Sequence, residues 1–204
     1  MGALMTATGD DLTIQFDPHA MLGLPAAAHG WFRTAMLTDT FGFYLPFLVI
    51  GGYLWSRLRG EGGAPVDMAV LFLGFYVVLG VLGAMLQYGA LPDLAHSHLS
   101  ADPIIRVSSE SAWAATVTAS QHGLWALEGP VLVFWTAVMG PLLRRNGWGR
   151  GRLLEICGYL YVAVYDGGLF GIPEATLEPV STLAVVLLPI WMMLFGSDLL
   201  RGRG

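Results

Sequence analysis

Residues 111–143 read SAWAATVTASQHGLWALEGPVLVFWTAVMGPLL, an almost unbroken apolar run with Gln121, His122 and Glu128 in its middle. A membrane-crossing helix needs about 20 such residues, so the run is long enough to span a bilayer. On one helix Gln121, Trp125, Glu128, Leu132 and Trp135 follow at steps of four, three, four and three and share a stripe. Gly129 and Pro130 come directly after the acid. The proline lacks a backbone donor and clashes with the carbonyl of residue 126, so a kink is expected that frees polar backbone beside the carboxylate. A charge near the bilayer centre costs about 2.5–3.5 kcal/mol on insertion scales, which makes an intramembrane acid a candidate functional group. The competing reading is a neutral Glu128 hydrogen-bonded to a neighbouring helix.

The rest of the chain suits a membrane equally well. Over 204 residues it is 55% hydrophobic and 12% charged, with a mean hydropathy of +0.61, whereas soluble domains are about 25% charged. Its net charge of −5 and the lack of a basic, aromatic-interleaved cluster argue against nucleic acid as partner. The single Cys157 excludes an internal disulfide and speaks against a cysteine-ligated metal. No basic start followed by an apolar run is found at the N-terminus, so a cleavable signal peptide is not expected.

An all-α membrane protein follows: a single membrane domain over 1–204, a five-helix transmembrane bundle around an intramembrane cavity. Residues 1–38 form an extramembrane or interfacial lead, and the spans fall at about 39–57, 67–92, 110–143, 153–172 and 180–197, the last kinked at Pro189. Arg57 and Arg59, then Arg144, Arg145, Arg150 and Arg152, then Arg201 and Arg203 fall on one side, against Arg33 and Arg106 on the other. The positive-inside rule then puts the N-terminus outside and the C-terminus in the cytoplasm, as an odd number of spans requires. A bacterial cytoplasmic membrane is the expected location. No internal repeat or paired interrupted helices suggest a transporter with inverted halves.

Two further stripes carry polar groups. In the second span Tyr76, Gly80, Gly83 and Gln87 share a face, read either as close helix packing or as a recess with an amide at its floor. In the fourth, Glu155, Tyr159, Val162 and Asp166 do so; Glu155 is near enough to the arginines to be an interfacial ion pair, while Asp166 lies deeper, after Tyr165. Between spans two and three, His96 and His98 form a spaced pair that resembles a metal site weakly and is expected to be solvated loop. No metal or other cofactor is expected.

Tyr76, Trp125, Trp135, Tyr159, Tyr161, Tyr165 and Trp191, with Gln87 and His122, could line an apolar chamber for a hydrophobic ligand. A buried carboxyl stays protonated and can protonate an alkene, Gln121 can position the reacting group, and aromatic faces stabilise a carbocation. With Glu128, Asp166 and Gln121 as the catalytic set, this predicts a cofactor-independent isomerase or cyclase acting on a terpenoid or sterol-like molecule. The alternative is a protein that binds or senses such a lipid without changing it. The partners left open are a hydrophobic small molecule or lipid, the membrane itself and a second copy of the chain.

Leu127-Glu128-Gly129-Pro130, and Tyr165-Asp166-Gly167-Gly168-Leu169-Phe170 with Glu174 closing the segment, resemble motifs of the emopamil-binding protein (EXPERA) family, five-span sterol isomerases and related ligand-binding proteins. The resemblance implies the same bundle and a divergent member. The family's second-span histidine and glutamate fall on Gly83 and Gln87, and its third-span glutamate falls on Gln121. A tryptophan-rich sensory protein is the second fold family with five spans and many aromatics, although its motifs are not found here.

Overall fold

The computed structural model describes residues 12–202, without the side chains of Leu12, Asp166, Leu169, Glu174 and Ala175. The chain is 89% helical and has no strand among the described residues. After a 3-10 turn at Leu12–Phe16 come α1 (Pro18–Leu22), α2 (Ala26–Thr38), α3 (Leu45–Gly62), α4 (Ala64–His98), α5 (Pro103–Thr118), α6 (Glu128–Arg145), α7 (Gly151–Leu169) and α8 (Glu174–Leu200). Four stretches, Ala26–Gly62, Ala64–His98, Pro103–Arg145 and Thr176–Leu200, are long and apolar enough to cross a membrane. The protein is an all-α membrane protein.

The first of these stretches starts well before residue 39, where the sequence places the first span. Two features allow helix through 26–38. Arg33 lies over the Tyr88 ring at 4.1 Å, so its charge meets an aromatic face. Thr34, Thr38 and Thr40 each donate to the carbonyl four residues back, at 2.9, 2.9 and 3.0 Å, so their hydroxyls are satisfied within the helix. The segment expected as loop from Leu94 to Ser109 is also mostly helical. α4 continues to His98, and Asp102 caps α5 by accepting from the Ile104 N–H at 2.8 Å.

Prolines explain two irregularities. π-helical turns at Asp39–Tyr44 and Ala119–Leu124 come shortly before Pro46 and Pro130, and a 3-10 turn at Trp125–Leu127 follows the second. A proline offers no N–H to the carbonyl four residues earlier, and the helix shifts its bonding register on the N-terminal side. The break expected beside Glu128 thus lies just before the acid, at 119–127. α8 runs as one helix through Pro179 and Pro189.

The chain divides into two compact units, one of residues up to Tyr44 with Leu79–Ala126, the other of Leu45–Val78 with Leu127–Gly204. The first unit is built on Met21, Leu22, Phe32, Met36, Ala84, Leu91 and Trp113. Gly80 and Gly83 of α4 pack against the rings of Tyr44 and Trp125, and the Trp125 indole donates to the Gly80 carbonyl at 3.2 Å. The glycines of that stripe therefore serve close packing, and the expected recess is filled by rings.

In the second unit α7 packs on both α6 and α8. Gly151, Gly158 and Tyr165 on α7 face Gly140, Thr136 and Gly129 on α6, so small residues at heptad-like spacing let two backbones approach. Polar contacts gather at the turns. Trp55 donates to Asp67 at 2.7 Å, and Arg59 pairs with the same carboxylate at 3.0 Å. Asn146 donates to Glu61 at 2.7 Å, Arg144 pairs with Glu155 at 3.2 Å, and Arg150 donates to Asp198 at 2.6 Å. The Asp198 hydrogen bond raises the Arg150 guanidinium pKa above its ordinary value. Glu155 is in the interfacial ion pair its position suggests. The arginine-bearing turns after α3 and α6 and the end of α8 accordingly lie together at one end of this unit.

Candidate functional site

Glu128 opens α6 and is buried, 9% exposed. Gly129 beside it has no side chain, and the Tyr165 ring occupies the space where a Cβ would stand. This seats the Tyr165 phenol against the start of α6, with the Gly129 N–H facing its oxygen. One turn earlier on α7, Tyr161 lies near parallel to Tyr165, with ring centroids 6.5 Å apart and planes at 14°. Both phenols are within electrostatic reach of the Glu128 carboxylate. A carboxyl and two hydroxyls gathered in a membrane helix pair can hold a proton and pass it on.

The inward stripe of α7 is thus Gly151, Leu154, Gly158, Tyr161 and Tyr165. The sequence stripe through Glu155 and Tyr159 is set one residue off: Tyr159 is 71% exposed and turned away from the packed face. Tyr161 is the member that sequence reasoning undervalued, and its signal was the heptad spacing of Gly151 and Gly158 below it. The side chains of Asp166 and Glu174 lie outside the described residues.

Three of the expected lining aromatics of this unit, Tyr76, Trp135 and Trp191, are core. Trp135 and Trp191 are fully buried. Trp135 packs edge-on against Phe47 at 4.9 Å and Trp191 at 5.9 Å, Trp191 stacks on Phe195 at 5.1 Å, and Tyr76 meets Phe47 edge-on at 5.7 Å. Trp191 also donates to the Arg150 carbonyl at 3.1 Å. The open apolar depression along α8 at Glu178, Pro179, Thr182, Leu183 and Val186 contains none of the expected site residues.

Gln87, Gln121, His122 and Trp125 belong to the other unit. Gln87 is fully buried, and neither polar atom of its amide has a hydrogen bond. Gln121 donates to Gln15 at 3.3 Å, and His122 is exposed with its ring 6.3 Å from Phe16. Of the histidine pair expected as solvated loop, His96 is exposed, but His98 is only 8% exposed and faces Glu110.

No family model matches the chain, and neither a curated protein nor a solved structure matches it.

Proposed function

We propose that the protein is a membrane-embedded acid/base isomerase or cyclase for a hydrophobic terpenoid or sterol-like molecule, with Glu128 as the proton donor. The observation that carries this reading is the buried Glu128 carboxyl at the start of α6, within electrostatic range of Tyr161 and Tyr165 on α7. In the proposed cycle the Glu128 carboxyl gives its proton to an alkene of the substrate. The carbocation that forms loses a proton from a neighbouring carbon, Tyr165 or Tyr161 relays it back to Glu128, and the acid exchanges that proton with solvent before the next turnover. Substrate and product are then isomers, and no cofactor enters the balance.

The chain crosses a bacterial cytoplasmic membrane five times, N-terminus outside, as a divergent relative of the emopamil-binding protein family. The gathering of Arg59, Arg144 and Arg150 with their partners at one end of the second unit supports that orientation. The second reading, binding without turnover, is favoured by the core positions of Trp135 and Trp191, which leave fewer aromatic faces to stabilise a cation.

The test uses membranes containing the protein and a mixture of polycyclic and linear isoprenoids, with products separated by gas chromatography and mass spectrometry. Wild type is expected to convert one component to an isomer of equal mass. Glu128→Gln should retain the bound lipid and lose about 100-fold or more in rate, the usual worth of a positioned general acid. Bound lipid that neither protein converts would establish the binding reading, and equal turnover in both would remove Glu128 from the chemistry.

A further inference from the structure

The cluster of chemistry-bearing side chains most sharply defined outside the Glu128 region lies in the first unit. His19 of α1, His98 at the end of α4 and Glu110 of α5 present one ligand atom each, all within 4.8 Å of one another. His19 Nδ1 is 2.8 Å from Glu110 Oε1, and His98 Nδ1 is 3.4 Å from the same oxygen. The two imidazoles meet edge to face with centroids 5.2 Å apart.

Each ligand is placed by its own device. Asp17 caps α1 by accepting from the Ala20 N–H at 3.0 Å, and Pro18 starts the turn that carries His19. Met21 and Leu22, fully or almost fully buried, anchor that turn in the core beside Trp113, whose indole donates to the Gln15 carbonyl at 3.0 Å. Gly23 leaves the edge of its backbone open where the His98 ring approaches, with Nε2 4.0 Å from the position of a Cβ.

His98 supplies the second, independent observation. Its ring is more than nine-tenths buried, yet Nδ1, 3.4 Å from Glu110 Oε1, has no hydrogen bond. A buried ring nitrogen left in that state calls for a partner. Around a tetrahedral ion with bonds of about 2.0–2.2 Å, neighbouring ligand atoms stand about 3.4 Å apart. The His98–Glu110 edge already has that length, and His19, whose side chain is 80% exposed, has room to move out to it. His29 is not a candidate ligand because its Nε2 contacts the Met21 carbonyl at 2.9 Å.

We propose that His19, His98 and Glu110 bind one divalent transition-metal ion, zinc by preference, that ties α1 to the end of α4 and to α5. Two imidazoles and a carboxylate are a common zinc set, and the exposed side at His19 leaves a fourth position for water. The site is independent of the Glu128 reading.

The test is metal analysis of tag-free full-length protein in detergent after dialysis against zinc, with cobalt substitution to report tetrahedral geometry by visible absorption. Wild type should retain one zinc per chain and unfold at higher temperature when zinc is present. His98→Gln and Glu110→Gln should each weaken binding by more than about 100-fold, beyond the usual effect of losing a ligand's supporting partner. His19→Gln, at an exposed position that puts folding at no risk, should do the same, while His96→Gln leaves binding unchanged. No stoichiometric zinc in the wild type, or wild-type affinity in His19→Gln, would overturn the proposal.

Discussion

Gly129→Ala is expected to destabilise the protein by about 3 kcal/mol, at the upper end of what overpacking usually costs. One methyl group does this because the Tyr165 ring already fills the place where it would sit. The ring is stacked with Tyr161 and cannot swing aside as a flexible chain end would, so α6 and α7 have to part. The measurement is unfolding in mixed detergent micelles. A matched control is Gly52→Ala on α3, where a Cβ would meet nothing within 4 Å; it should be neutral or stabilising by about 0.5–1 kcal/mol, since alanine is the better helix former. Gly129→Ala combined with Tyr165→Leu should recover part of the loss, because coupled neighbours are not additive. A stable Gly129→Ala single variant would mean that α6 and α7 do not meet as described.

Trp135→Ala is expected to cost about 3–5 kcal/mol, the range for emptying a buried aromatic site. The residue is fully buried between Phe47 and Trp191, and its removal takes the centre out of the aromatic chain. Trp135→Phe separates volume from polarity. The Trp135 indole N–H is buried without a hydrogen bond, so phenylalanine removes an unsatisfied donor while keeping much of the packing, and the variant should lose at most about 1 kcal/mol. Trp113→Phe should behave differently, because the Trp113 indole donates to the Gln15 carbonyl and the carbonyl loses that partner. Here about 1 kcal/mol or more is expected, the net worth of a hydrogen bond to a part-buried carbonyl. Equal tolerance at both positions would show that the two indoles do not differ in hydrogen bonding.

Much of the fold was legible because it follows from runs of apolar residues, and these are local. The limits of the runs were less so. The first span is expected from about residue 39 with Arg33 before it, whereas helix runs through Arg33, whose charge is set against the Tyr88 ring. The burial of Glu128 was legible from an acid without a nearby basic residue in the sequence, and the ion pair of Glu155 from its nearness to Arg144 and Arg145. Which tyrosines of α7 lie within electrostatic range of that acid was not. The phase of the helix is set by Gly151 and Gly158 pressing on α6, a tertiary contact, and it selects Tyr161 and Tyr165 over Tyr159. Trp135 and Trp191 follow the same rule: periodicity placed them on an inner face but could not say whether that face met a chamber or other side chains. The His19–Glu110 contact joins residues 91 positions apart, and no spacing rule reaches across that distance.

Proton delivery from Glu128 to a bound hydrophobic molecule is the central claim, and the label it leaves tests it most directly. Membranes containing the wild-type protein, incubated in deuterated water with the isoprenoid mixture, should yield a product carrying one solvent-derived deuterium on carbon, and Glu128→Gln membranes should yield none. A product free of deuterium, or one labelled equally by the variant, would contradict it.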